Sequence, residues 1–299
     1  MRGVEQIPNE SYCVLYDEEE FMKTTKQYAF CESFSEMKKF AVIGYPIKHS
    51  KSPQLHRAGF QELDIDAEFE AVEVRPEDLG AWVKNEFRPH LQGAAITIPH
   101  KETIRQYLDA ESEAARKIGA VNTLYWEKGK LIGTNTDCIG VLKALQTTVN
   151  PAGKNVLVLG AGGASRAVIF ALLVAKAHVF VWNRTTEKAE ALAKEFKIKY
   201  LPSLEDIDPD GLDIVINTTS VGLGKMQSVF PAELWRPHHV AFDTVYSPLE
   251  TQFLQDAENA GAQIITGDHM LVHQAIEQFR IWHGVELDPD VMSAAFFGE

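Results

Sequence analysis

The chain has 299 residues, 45% apolar and 24% charged, the composition of a globular protein with room for two domains of roughly 100 to 200 residues each, which excludes a mostly disordered or fibrous chain. A formal net charge of −13 argues against general binding to nucleic acid or anionic membranes, so an anionic ligand must be met by local positive groups. The cysteines Cys13, Cys31 and Cys138 show neither metal-ligand spacing nor a disulfide framework. With no secretory leader at the start and no apolar run of about 18 residues, the expectation is a cytoplasmic protein in a reducing compartment.

Residues 1–38 are polar, acidic in "YDEEEF", and read as an N-terminal extension. From Phe40 the texture changes. "FAVIG" predicts a buried strand, and "IKHSKSPQLH" the start of a helix, with Ser52 as N-cap, Pro53 at the first helical position and Leu55, Phe60 and Leu63 on its apolar face. Hydroxyls and positive charge at such a helix start suit an anion, with a carboxylate the first expectation; an ordinary capped helix is the plainer alternative. "AEFEAVEV" and "GAAITIP" predict strands on either side of a helix carrying Leu79, Trp82, Val83 and Phe87.

"NTLYWEKGKLIGT" predicts two short strands turning at Lys128 and Gly129, and "DCIGVLKALQ" a helix running out to a boundary at "NPAGK". Beyond it "NVLVLG", "HVFVWN", "DIVINTT", "HVAFDTVY" and "AQIIT" alternate with helical stretches, the pattern of a parallel sheet with crossover helices. The closing stretches "DHMLVHQAIEQFRIWHG" and "DPDVMSAAFFG" are helical, and the expectation is that they pack back onto the first domain.

"NVLVLGAGGASRAVIFAL" supplies a strand, a turn with Gly160, Gly162 and Gly163, and an apolar helix, the order a dinucleotide pyrophosphate requires, with Ser165 at the place of a third glycine. About 20 residues on, where NAD-binding chains place a carboxylate for the ribose, stand Asn183, Arg184 and Thr185, with Lys188 beyond. A guanidinium and an ammonium attract a 2′-phosphate, so the expected cofactor is NADP. "TIPHK", "GAVNT" and "GTNTDCIG" are polar clusters at strand ends or helix starts; singly, each reads equally well as a loop.

Together the ordered motifs "GYPIKHSKSPQLH", "TIPHK", "GAVNT", "NTD", "GAGGASRA", "NRT", "NTTSVG" and "DTVYSPLETQFL" resemble the shikimate dehydrogenase family from about residue 40 to about 285. The resemblance implies an α/β fold of two domains around a cleft: a discontinuous substrate-binding domain over 39–145 and 269–299, and a Rossmann-type NADP-binding domain over 146–268. It implies an enzyme that reversibly reduces 3-dehydroshikimate to shikimate with NADPH, in the biosynthesis of aromatic amino acids. Lys101 and Asp137 would form the catalytic pair. Ser50 and Ser52, with Tyr246, would hold the substrate carboxylate, and Thr97, Asn122 and Gln274 the ring hydroxyls. Gly160, Ala161, Gly162, Gly163, Ala164, Asn183, Arg184, Thr185, Lys188, Thr218 and Gly267 would meet the cofactor. The implied partners are small molecules alone, on a monomer or homodimer, with no metal. The chain departs from the family at Ala95 and Arg57, each commonly asparagine. A quinate or quinate/shikimate dehydrogenase is the alternative, and a non-catalytic ligand sensor a more distant one.

Overall fold

The computed structural model describes residues 37–298, so most of the predicted N-terminal extension, with Cys13 and Cys31, lies outside the described residues. The first sheet has the order β2-β1-β3-β5-β6-β4. It is built from β1 (Lys38–Gly44), α1 (Ser52–Glu62), β2 (Ala67–Glu73), a helical stretch over 76–90 and β3 (Gly93–Ile96). These are followed by β4 (Ala110–Glu111), α2 (Glu113–Ile118), β5 (Thr123–Glu127), β6 (Lys130–Thr134) and α3 (Asp137–Gln146). Strand β1 runs parallel to both β2 and β3, whereas β5 is antiparallel to β3 and to β6, its hairpin partner, with the turn at Lys128 and Gly129 as the sequence predicts, both residues at positive φ.

Helix α1 corrects two expectations. Lys51 already has helical dihedrals, so the helix begins at Ser52, and the hydroxyl meeting a first-turn amide is that of Ser50, which accepts from the Ser52 N–H at 3.3 Å. Leu63 closes the helix and stays exposed instead of joining the apolar face. The stretch over 76–90 is a 3-10 turn, an α turn, a π turn and a second α turn in succession, and it buries Leu79, Trp82, Val83 and Phe87.

The second sheet is wholly parallel, in the order β12-β11-β10-β7-β8-β9. Its elements are β7 (Asn155–Leu159), α4 (Gly163–Val174), β8 (His178–Trp182), α5 (Thr186–Phe196), β9 (Lys199–Tyr200), β10 (Ile214–Asn217), β11 (Val240–Asp243), α6 (Gln252–Asn259) and β12 (Gln263–Ile265). Helices cover both faces of such a sheet, which is why β10 and β11 are buried along their whole length.

Two further helices, α7 (Gly267–His283) and α8 (Pro289–Phe297), return to the first sheet. Phe279, Met292 and Phe296 share one core with Phe40, Leu55 and Phe69, and α7 also packs along α3. The long helix therefore leaves the second sheet at its first residue and completes the hydrophobic core of the first.

Two histidines sit in that core. His56 stacks on Phe69 with ring centroids 4.3 Å apart, and His283 packs against Phe40, Phe60 and Phe279. Burial pushes His56 down to about 3, and burial together with the Lys38 charge pushes His283 down to about 4. Both are neutral in the fold but cationic in the unfolded chain below about pH 6.5, so their stabilisation is complete above that pH and is lost as pH falls towards the folded values. Between pH 7 and pH 5 each should remove about 2 kcal/mol from the unfolding free energy. Urea titrations at the two pH values check this: His283→Phe should abolish its share of the fall, and an unchanged fall would refute the assignment.

Candidate active site

Both sheets reverse their winding direction beside their first strand: β1 lies between β2 and β3, and β7 between β8 and β10. Crevices form outside the carboxyl ends of strands at such switch points, because the connections leave to opposite faces. Here the two crevices open into one cleft of about 160 Å³, bounded by Thr97 after β3 on one side and by Thr218 and Thr219 after β10 on the other.

Within it Lys101 Nζ donates to Asp137 Oδ2 at 2.6 Å, the side chains only 13% and 5% exposed. Such a pair is costly to desolvate unless the remaining lone pairs are satisfied. Asn122 Nδ2 donates to the other carboxylate oxygen at 2.9 Å, and the Asp137 N–H donates to Asn135 Oδ1 at 3.0 Å. Asp137 is the first residue of α3 behind an N-cap Thr136, so its charge also lies at the positive end of the helix dipole.

Ser50, Ser52, Thr97, Asn122, Tyr246 and Gln274, all singled out from sequence, line the same cleft. Burial pushes the Tyr246 hydroxyl up, with its bonds to the Ser50 side chain and the Lys51 backbone pulling the other way. Gln274 Nε2 donates to the Leu271 carbonyl at 2.9 Å, which leaves its oxygen within 3.4 Å of Asn122 Nδ2. Ala95 lines the cleft as well, whereas Arg57 is exposed and does not.

On the other wall Ala164, Thr218 and Gly267 reach the cleft, and the remaining predicted cofactor residues follow outside it along the second sheet. Gly160 has φ +124, and a Cβ there would lie 2.5 Å from Thr218 Oγ1. Thr218 donates to the Leu159 carbonyl at 2.7 Å and pairs with Ser165 Oγ at 2.7 Å, which in turn accepts from the Gly162 N–H at 3.1 Å. Ser165 stands in the third-glycine place because its buried hydroxyl ties the turn together. Gly162 is exposed with open space where a Cβ would project, and a Cβ on Gly163 would meet Lys101 Cβ at 2.8 Å. Asn183 braces its own turn by donating to the Thr185 carbonyl at 2.9 Å, and Arg184, Thr185 and Lys188 are exposed.

Sequence reading passed over His49, Thr219, Met270 and Gln278, which also line the cleft. Gln278 was within reach, since it follows Gln274 by one helical turn and so shares its face. Among the described residues no group of three or more His, Cys, Asp or Glu side chains is placed to hold a metal ion. The arrangement offers hydroxyls and amides for a small polyhydroxylated ligand, an ammonium beside it for a developing oxyanion, and a helix N-terminus with a glycine turn for a pyrophosphate.

Comparison with known proteins gives three family matches: a shikimate dehydrogenase substrate binding domain over residues 42–124, a shikimate/quinate 5-dehydrogenase domain over 143–226, and a shikimate 5′-dehydrogenase C-terminal domain over 269–295. A Maridesulfovibrio salexigens protein named shikimate dehydrogenase (NADP(+)) is 41% identical over 262 residues, 85% of this chain and 94% of its own. One of the same name from Methanococcoides burtonii is 44% identical over 261 residues, 86% of this chain and 96% of its own. The crystal structure of Thermus thermophilus shikimate 5-dehydrogenase in complex with NADP(H) and shikimate superposes with a TM-score of 0.82 at 41% identity, covering 87% of this chain and 99% of that one.

The glycine turn yields a direct test. Gly160→Ala combines positive φ with a clash at Thr218 and should cost about 1–3 kcal/mol, whereas Gly162→Ala points into open space and should cost less than about 1 kcal/mol. Thermal unfolding of the two variants checks the contrast, and equal losses would refute it.

Proposed function

The chain belongs to the shikimate dehydrogenase family, and we infer from that membership and from the cleft that it is an NADP-dependent shikimate dehydrogenase, interconverting 3-dehydroshikimate and shikimate. The observation that carries the reading is the Lys101–Asp137 pair on one wall of the cleft with the glycine turn of the other wall packed against the lysine stem. The residues fit NADP: Gly162 leaves the space a pyrophosphate needs above the start of α4, Arg184 and Lys188 stand exposed beyond β8, and Asn183 follows β8 where an NAD-binding chain places a carboxylate.

Bound NADPH supplies a hydride to the substrate carbonyl carbon. Lys101 stabilises the negative charge that develops on the carbonyl oxygen and delivers the proton that makes it a hydroxyl. Asp137 orients the lysine and stabilises its charge; Asn122, held to Asp137, presents its amide to a ring hydroxyl with Thr97 and Gln274. Ser50, Ser52 and Tyr246 bind the carboxylate at the far end, which sets the ring so that the reacting carbon faces the cofactor wall. Ala95, where an amide is usual in the family, leaves that part of the wall apolar.

Residues 39–145 with 269–299 form the substrate-binding domain and 146–268 the cofactor domain, a division supported by the return of α7 and α8 to the first core. No helix among the described residues is long and apolar enough to cross a membrane. The net charge and the small cleft favour an enzyme that works on small molecules without nucleic acid, which we place in the cytoplasm as a monomer or homodimer.

The reduced cofactor's absorbance, followed with shikimate or quinate against NADP or NAD, tests the assignment: rapid turnover with shikimate and NADP is expected, preference for quinate or NAD would transfer the protein to the sister activity, and no turnover would refute the enzyme reading. Lys101→Met should lower kcat by about 10²–10⁴-fold while NADP binding, followed by cofactor fluorescence, persists. Arg184→Ala should raise KM for NADP by roughly tenfold and leave KM for NAD nearly unchanged, as loss of a charge-assisted contact to phosphate predicts.

A further inference from the structure

Two buried side chains have no part in the chemistry above: His56 on α1 and Gln278 on α7, 222 residues apart, whose Nε2 and Oε1 atoms meet at 3.2 Å. Gln278 Nε2 also donates to the Asn122 carbonyl at 3.2 Å and to the Thr123 hydroxyl at 3.0 Å. The donors and acceptors along this chain leave no choice of direction. A backbone carbonyl only accepts, so the Gln278 amide nitrogen faces Asn122 and its oxygen faces His56, which must therefore carry its proton on Nε2.

Thr123, having accepted from Gln278, donates its own proton to Asn122 Oδ1 at 2.7 Å. The Thr136 N–H, which only donates, reaches the same oxygen at 2.7 Å. Asn122 Nδ2 is thereby turned towards Asp137 Oδ1, while Lys101 holds Oδ2. A flipped Asn122 would set its carbonyl against the carboxylate and its NH₂ against the Thr136 N–H.

We propose that His56 and Gln278 are positioning residues for the dehydrogenase reaction, a directed hydrogen-bond relay that fixes the Asn122 amide with its nitrogen towards Asp137 and so keeps the Lys101–Asp137 pair aligned. The proposal rests on the shikimate dehydrogenase reading. His56 Nδ1 is buried without a partner, a cost that a phenyl ring stacked on Phe69 in the same place would not carry. What the imidazole adds to that stack is a donor for Gln278. Its burial keeps it in the neutral, single-donor form at neutral pH.

The test has two arms. Nitrogen-15 NMR of the intact protein should show His56 protonated on Nε2 alone; an Nδ1–H tautomer would overturn the proposal whatever the activity. Gln278→Met keeps length and removes the donors: kcat with shikimate should fall at least about tenfold while KM for NADP stays within about twofold. A kcat within about twofold of the parent, even with a lowered Tm, would reduce Gln278 to a packing role and overturn the proposal. Should that variant fail to fold, the tautomer decides alone. Absence of shikimate turnover in the unaltered protein would refute the functional reading, whereas the NMR arm answers for the relay independently of turnover.

Discussion

A cation and a carboxylate 2.6 Å apart, both nearly withdrawn from water, are the constraint around which the rest of this molecule is organised. Removing two such charges from solvent costs several kcal/mol per ion unless every remaining lone pair and proton finds a partner. Support comes from far apart in the chain: Asn122, from the strand end before β5, donates to the free carboxylate oxygen, the N-terminal turn of α3 sets its dipole beside the charge, and Asn135, in the loop before α3, holds the Asp137 backbone N–H. Asn122 in turn needs Thr123, Thr136 and Gln278 to hold it. The chemistry at the cleft thus depends on a polar network that is almost entirely buried, which a rigid first domain must support.

That support is the reason the chain crosses between domains more than once. α7 begins against the Val245 carbonyl of the cofactor wall, where a Cβ on Gly267 would lie 2.5 Å from it, and ends in the aromatic core with Phe40 and Phe60. One helix therefore lines the cleft with Gln274 and Gln278, braces α3, and carries the hydrophobic load of the first sheet. Contact between Gly163 and the Lys101 stem adds a second link, placing the cofactor turn directly behind the ammonium.

Much of this was legible in the chain. The parallel strands of the second domain announced themselves as unbroken apolar runs, because a sheet covered on both faces has no solvent side to alternate with. The span of α3, the hairpin turn at Lys128 and Gly129, and the glycine turn before α4 followed from local chemistry. The start of α1 did not: Lys51 takes helical dihedrals, so the capping hydroxyl is that of Ser50, and no local preference distinguishes two serines flanking a lysine. The composite stretch over 76–90 was visible only as one apolar face, since burial of Leu79, Trp82, Val83 and Phe87 tolerates changes of helical pitch.

By itself the sequence determined the element types, the glycine turn, the basic residues beyond β8 and the lysine and aspartate proposed to react, all of which depend on neighbours within a few positions or on motifs that recur in order. Only the tertiary structure decided that the carboxyl ends of two separate sheets open into one cleft, that Ser165 substitutes for a glycine because it bonds to Thr218, and that Gln278 stands behind Asn122. The physical reason is that hydrogen-bond direction and desolvation depend on partners remote in the chain, such as His56 and Gln278, 222 residues apart, and a sequence records the donors and acceptors without recording which of them meet.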